Sequence, residues 1–156
     1  MSRAFIKEDA GDPDELPDRP LPSSPNYVTP YGLDALRRKA LELKAAALAA
    51  DEKRRRALTR DLKYYEARIA RAILVESAGR AADEARFGAR VRVRDSAGRE
   101  SSWRIVGQDE AGEGGDKIAW DSSAALALIG GKAGDAVEWG EGEETRRGVI
   151  AAIEYQ

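Results

Sequence analysis

TPYGLDALRRKALELKAAALAADEKRRRALTRDLKYYEARIARAILVE, residues 29–76, decides the fold of this chain. Thr29 is a good N-cap, and Pro30 fits the first helical position, where its missing N–H is not needed. After them Leu33, Leu36, Ala40, Leu43, Ala47 and Ala50 recur at alternating steps of three and four, the seam of a helix that packs on another helix. A second seam follows with Leu58, Leu62, Tyr65, Ile69 and Ala72, and Ile73 beside it. Two seams of equal length predict an antiparallel helical hairpin over residues 28–76, turning around Ala50–Arg55. No Gly or Pro marks that turn, so one unbroken long helix is the competing reading.

At residue 77 the material changes. Ala89–Arg94 alternates apolar and charged residues, the pattern of a half-buried strand. Asp95–Gly98 is a turn, and Glu100–Val106 is the return strand. An acidic, Gly-rich loop covers 107–116. Lys117–Trp120 is a short strand, and Ser122–Ile129 is a short helix stopped by Gly130 and Gly131. Ala136–Trp139 and Gly148–Tyr155 are further strands. Residues 77–156 therefore form a bent antiparallel sheet with one short helix, and the chain as a whole is α+β.

Ahead of the hairpin, all six prolines lie between Pro13 and Pro30. Residues 1–27 are rich in Pro and acid and poor in apolar side chains, so a disordered or extended tail is expected. Phe5 and Ile6 are its one neighbouring apolar pair. Charge divides along the same boundaries. The tail carries three basic and six acidic residues, the hairpin twelve and seven, and the remainder eleven and fifteen. A basic rod between acidic segments suits an anionic partner, or is the charged outer face of any helical pair.

There is no Cys and no His. That removes disulfides, thiolate metal sites and the usual proton shuttle. No apolar run approaches the ~20 residues needed to span a bilayer, and the N-terminus has no signal-like apolar core. A cytoplasmic protein without membrane contact is expected.

Residues 27–156 resemble the GreA/GreB family of bacterial transcription elongation factors, nearer to GreB. The likeness rests on Tyr27-Val28-Thr29 with Gly32 and Leu36, and on Arg60 through Tyr65 to Ile73. In the second half it rests on Phe87-Gly88-Ala89, Trp103 to Gly107, Asp109-Glu110, Asp121-Ser122, Ala125, Ala127 to Ile129, Gly131-Lys132, Gly134-Asp135 and Ile153 to Tyr155. The resemblance implies a coiled-coil hairpin followed by an FKBP-like domain. It also implies a monomer that docks on RNA polymerase at the rim of the secondary channel, with the hairpin inside the channel near the 3′ end of the nascent RNA. In the family, acidic residues at the hairpin tip help hold a second Mg²⁺ of the polymerase, and carboxylates suit such a two-metal site. No cofactor of the chain's own is implied.

The sequence departs from the family at that tip. The Gly-Asp-x-Ser-Glu-Asn type of stretch is absent. The hairpin is shorter by about ten residues per arm, or about 15 Å at about 1.5 Å per residue, a shortening similar to that of Rnk. The acidic candidates left at the tip are Asp51 and Glu52. They are either remnants of the acidic tip or, for Asp51, the N-cap of the second helix. Lys53, Arg54, Arg55, Arg56 and Arg60 are candidate contacts to RNA or the channel wall, or a solvated end. The family's polymerase-docking loop and helix correspond to Asp121, Ser122, Ser123, Ala124, Ala125 and Leu126, with Ser123 where Pro is usual. The competing reading has Asp121 and Ser122 only capping the helix and Leu128 and Ile129 in the core. Three functions follow. The first is a channel-binding regulator without efficient transcript cleavage. The second is a cleavage-stimulating factor. The third, from the fold alone, is a peptidyl-prolyl isomerase.

Overall fold

The computed structural model describes residues 16–156. The expectations for Phe5, Ile6 and the rest of residues 1–15 lie outside the described residues. The element order is β1 (Asn26–Val28), α1 (Pro30–Ala49), α2 (Glu52–Ala70), β2 (Ala72–Leu74), β3 (Ala89–Asp95), β4 (Glu100–Val106), β5 (Lys117–Ala119), α3 (Ser123–Leu128), β6 (Ala136–Trp139) and β7 (Arg146–Tyr155). No helix among the described residues is long and apolar enough to cross a membrane.

The hairpin forms as its seams predict. Thr29 caps α1 by accepting from the Gly32 N–H, with Pro30 at the first position. Leu36, Ala40 and Leu43 are buried, and Lys44 reaches across to Glu66 at 3.2 Å. α1 is 20 residues long, about 30 Å at about 1.5 Å per residue. The unbroken-helix alternative is excluded.

The base of the hairpin differs from the sequence reading. α2 stops at Ala70, so Ala72 and Ile73 leave the helical seam and enter β2. β2 pairs in parallel with β1, Asn26 opposite Ala72 and Val28 opposite Leu74. The Asn26 side chain donates to the Arg68 carbonyl at 2.7 Å and so closes the open end of α2. The cause is long-range. Ile73, Leu74 and Val75 are good strand formers, but only the returning N-terminal segment supplies a partner. Of the disordered or extended tail expected over 1–27, the described residues 16–25 carry no helix or strand and lie against α2. Asp18 meets Lys63, and the Arg19 guanidinium lies 3.9 Å from the centre of the Tyr64 ring.

The second sheet has the order β5-β4-β3-β7-β6. The sheet is mostly antiparallel as expected, β3 pairing so with β4 and β7 and β6 with β7, and the short β4–β5 pair alone runs parallel. The register between β3 and β7 passes from Arg92–Ala152 to Val93–Ile150, leaving Ala151 as a bulge. Ile150 and Ile153 are three residues apart and would face opposite sides of a regular strand. The bulge turns both into the core with Val91, Val93, Ile105 and Leu128. Ile129, placed in the core by the competing reading, is the C-cap of α3 and is exposed.

Hairpin and sheet meet at the loop after β4. Arg68 of α2, with 1% of its side chain exposed, donates from Nε to Asp109 at 2.6 Å and from Nη2 to Gln108 at 2.8 Å. Tyr64 donates to the other oxygen of Asp109 at 2.6 Å. The next residue, Glu110, is buried against the start of α1. It accepts from the Thr29 hydroxyl and lies 3.0 Å from Lys117 Nζ. α1 has no acidic residue in its first turn, so Glu110 supplies the negative charge that its N-terminus favours. A Cβ on Gly32 would lie 2.7 Å from Glu110 Oε2, so only glycine lets that carboxylate in. Gly107 serves the same purpose toward the Tyr27 carbonyl, 2.5 Å from where its Cβ would be. Burial would lower the pKa of Lys117, but the carboxylates of Glu110 and Glu113 outweigh it and hold the ammonium above its ordinary value.

Two outcomes follow from the junction. Arg68→Ala leaves Asp109 without its cation and should cost roughly 3–5 kcal/mol, whereas Arg68→Met with Asp109→Leu should cost much less, both read from urea midpoints. Burial and the bond to Asp109 push the Tyr64 phenol from 10.0 up to about 12. Between those pH values the unfolded chain releases this proton while the folded chain keeps it, so stability falls as pH rises. Titrated from pH 9 upward, Tyr64→Phe should lack this component of the fall.

Candidate functional site

Two exposed regions carry the residues singled out from sequence, the hairpin tip and the edge formed by α3. The tip is tighter than expected. Only Ala50 and Asp51 lie between the helices, because α2 already begins at Glu52. Asp51 accepts from the Arg54 N–H at 2.8 Å and is the N-cap of α2. The helix end is closed by Arg55, whose Nε donates to the Ala47 carbonyl at 3.1 Å and whose Nη2 donates to the Ala50 carbonyl at 2.9 Å. A guanidinium thus does what a C-terminal glycine usually does. This is why the turn needs neither Gly nor Pro and why sequence placed it too broadly.

The remaining tip charges divide. Glu52 pairs with Arg56 at 2.8 Å, and Arg60 with Asp61 at 3.1 Å. Lys53 and Arg54 are exposed, and neither side chain has a partner among the described residues. Leu48, one residue before the end of α1, is 87% exposed. No group of three Asp, Glu, His or Cys among the described residues is arranged to hold a metal ion. Asp51 and Glu52 are each already engaged by their own chain.

At the other region, Ser122 caps α3, accepting from the Ala125 N–H at 3.2 Å and donating to the Ala119 carbonyl at 2.6 Å. Ala125 and Leu128 face the core. Ala125 is therefore not available as a surface contact. Ala124 is half-buried, and Ser123, Leu126 and Ile129 follow one another at steps of three on the outer side, with Leu126 59% exposed. Asp121, beside them, accepts from the amide of Gln108 and from Ser24. Gln108 also accepts from Arg68, so one side-chain amide joins the root of the hairpin to the edge of α3. Sequence reading named Arg55 only as a candidate RNA or channel contact, not as the closure of α1, and did not single out Gln108, Arg68 or Ser24. Each acts through a partner 5 to 97 residues away, and no local pattern announces it.

Residues 80–155 match the family described as "Transcription elongation factor, GreA/GreB, C-term". The chain is 30% identical over 153 residues to transcription elongation factor GreB of Neisseria meningitidis, covering 83% of this chain and 94% of that protein. To GreA of Zymomonas mobilis it is 32% identical over 90 residues, covering 58% and 57%. Among solved structures it is similar to a GreA/GreB factor from Nitrosomonas europaea, at 23% identity and a TM-score of 0.44 over 83% of this chain and 99% of that one.

The tip geometry predicts the cost of opening it. Asp51→Ala should lower stability by about 1 kcal/mol through loss of the cap. Arg55→Ala should cost about 0.5–1.5 kcal/mol, because the exposed carbonyls regain water and Ala47 keeps its bond from the Ala50 N–H. Hydrogen exchange should show the extra opening confined to residues around the turn.

Proposed function

The chain belongs to the GreA/GreB family of transcription elongation factors, and on that footing we propose that it binds bacterial RNA polymerase at the secondary channel and regulates transcription without efficient transcript cleavage. In this reading the outer side of α3, with Ser123, Leu126 and Asp121, meets the channel rim, and the hairpin enters the channel. The observation that carries it is the state of the tip carboxylates. Asp51 holds the first turn of α2 and Glu52 holds Arg56, on a hairpin about 30 Å long at about 1.5 Å per residue. Asp51 would have to give up its cap to meet a polymerase Mg²⁺, and the short rod holds both carboxylates back from it.

The match to the Neisseria GreB agrees with a shortened rod. It runs over 153 residues but occupies 83% of 156 here, about 129, so about 24 positions of the relative have no counterpart. That number is close to the deficit of about twenty expected of the two arms together. Lys53 and Arg54 present positive charge where the family places acid, and they suit the phosphates of an extruded RNA 3′ end. The isomerase reading has no support in the tryptophans, which pack against the core of the sheet.

The test is RNA length in purified backtracked elongation complexes with Mg²⁺. The expected result is unchanged RNA, together with slowed cleavage when a full-length cleavage factor is added. Leu126→Asp should weaken that competition by about tenfold or more without lowering the melting temperature. RNA shortening that disappears in the double variant Asp51→Ala, Glu52→Ala would establish the cleavage-stimulating role instead.

A further inference from the structure

The larger sheet curls so far that β4 and β6, which are not neighbours in it, bring Trp103 and Trp139 into edge contact with ring centroids 5.2 Å apart. Beyond that contact the half-barrel opens into a groove of about 690 Å³ over Val93 and Ser101, with Trp139 as one wall. Its size falls in the range of about 300–1,000 Å³ typical of ligand sites. It lies at the Glu100 end of β4, whereas the hairpin junction and its loop follow the Val106 end. The α3 surface and the hairpin tip do not use it.

Most charges around the groove are already matched. Asp95 accepts from the N–H groups of Ala97 and Arg99 and from Arg99 Nε. Glu100 accepts from Arg94, and Arg147 donates to Glu138. Arg146 is different. It is exposed, lines the groove and has no partner among the described residues. Strand register places it directly opposite Trp139, so both side chains stand on the concave face. The loop before it is set by Gly140, whose φ of +94° favours glycine, and by a Thr145 hydroxyl donated to the Gly142 carbonyl at 2.7 Å. An open guanidinium fork next to an indole takes a carboxylate and an apolar side chain side by side. A polyanion fits poorly, because Glu141, Glu143 and Glu144 project from the same loop.

We propose that this groove binds a short protein segment of a partner in which one acidic residue sits beside apolar ones. The carboxylate pairs with Arg146, and the neighbouring side chain packs on Trp139. The full chain, labelled with ¹⁵N, is titrated with the pentapeptides acetyl-Ala-X-Glu-X-Ala-amide, where X is Leu, Pro or Phe. At least one should shift the Trp139 indole and Arg146 resonances saturably. Replacing its Glu by Gln should weaken binding about tenfold, and Arg146→Ala should weaken the Glu peptide by a similar factor while leaving the Gln peptide unchanged. Because Arg146 is exposed, that variant should keep the parent melting temperature. The proposal is overturned if no peptide shifts the groove at millimolar concentration, if pentauridylate shifts it equally well, or if Glu and Gln peptides still differ in Arg146→Ala.

Discussion

Arg68 is a cation withdrawn almost completely from water, and its guanidinium is held by groups from outside its own helix. Such a charge is tolerable only where its partners are fixed. Asp109 and Gln108 therefore pin the loop after β4 to the root of α2, and Tyr64 doubles the hold on Asp109. The hairpin is otherwise a slender pair of helices whose seam is half alanine at its far end. It has little apolar surface of its own with which to choose an angle to the sheet. The polar junction makes that choice, and Glu110 repeats it at the start of α1.

From this arrangement the two exposed regions inherit a fixed relation. Gln108 reaches Arg68 on one side and Asp121 on the other, so the edge of α3 and the axis of the rod are referred to one amide. Ser24 of the N-terminal segment joins the same group. Docking at α3 would consequently carry an orientation for the rod, through bonds that already exist in the free chain.

Much of this architecture was legible in the sequence because it is local. The heptad-like seams, the Thr29-Pro30 start, the alternation in 89–94 and the Ser122 cap each follow from neighbours a few residues apart. The features that escaped depend on distant segments. β2 needs β1, which is 46 residues earlier in register. The bulge at Ala151 is invisible until β3 is its partner, and Ile150 and Ile153 read as helical spacing without it. At the candidate site, Asp51 could be read as a cap. Arg55, however, looks like any other member of a basic run until the carbonyls it serves are placed beside it. Of six residues assigned to the α3 surface, Ala125 turns inward because a six-residue helix buries one side against the sheet.

The closure of the hairpin by Arg55 also constrains how the length of this rod can change. One residue added to a single arm rotates everything beyond it by about 100° about the helix axis and advances it by about 1.5 Å. The guanidinium then no longer faces Ala47 and Ala50, and the two seams lose register together. Growth or shrinkage compatible with this turn has to come as matched pieces in both arms, close to whole heptads. The reach of the rod is thus quantised in steps of about 10 Å, so a tip of this kind cannot be tuned gradually toward a distant target.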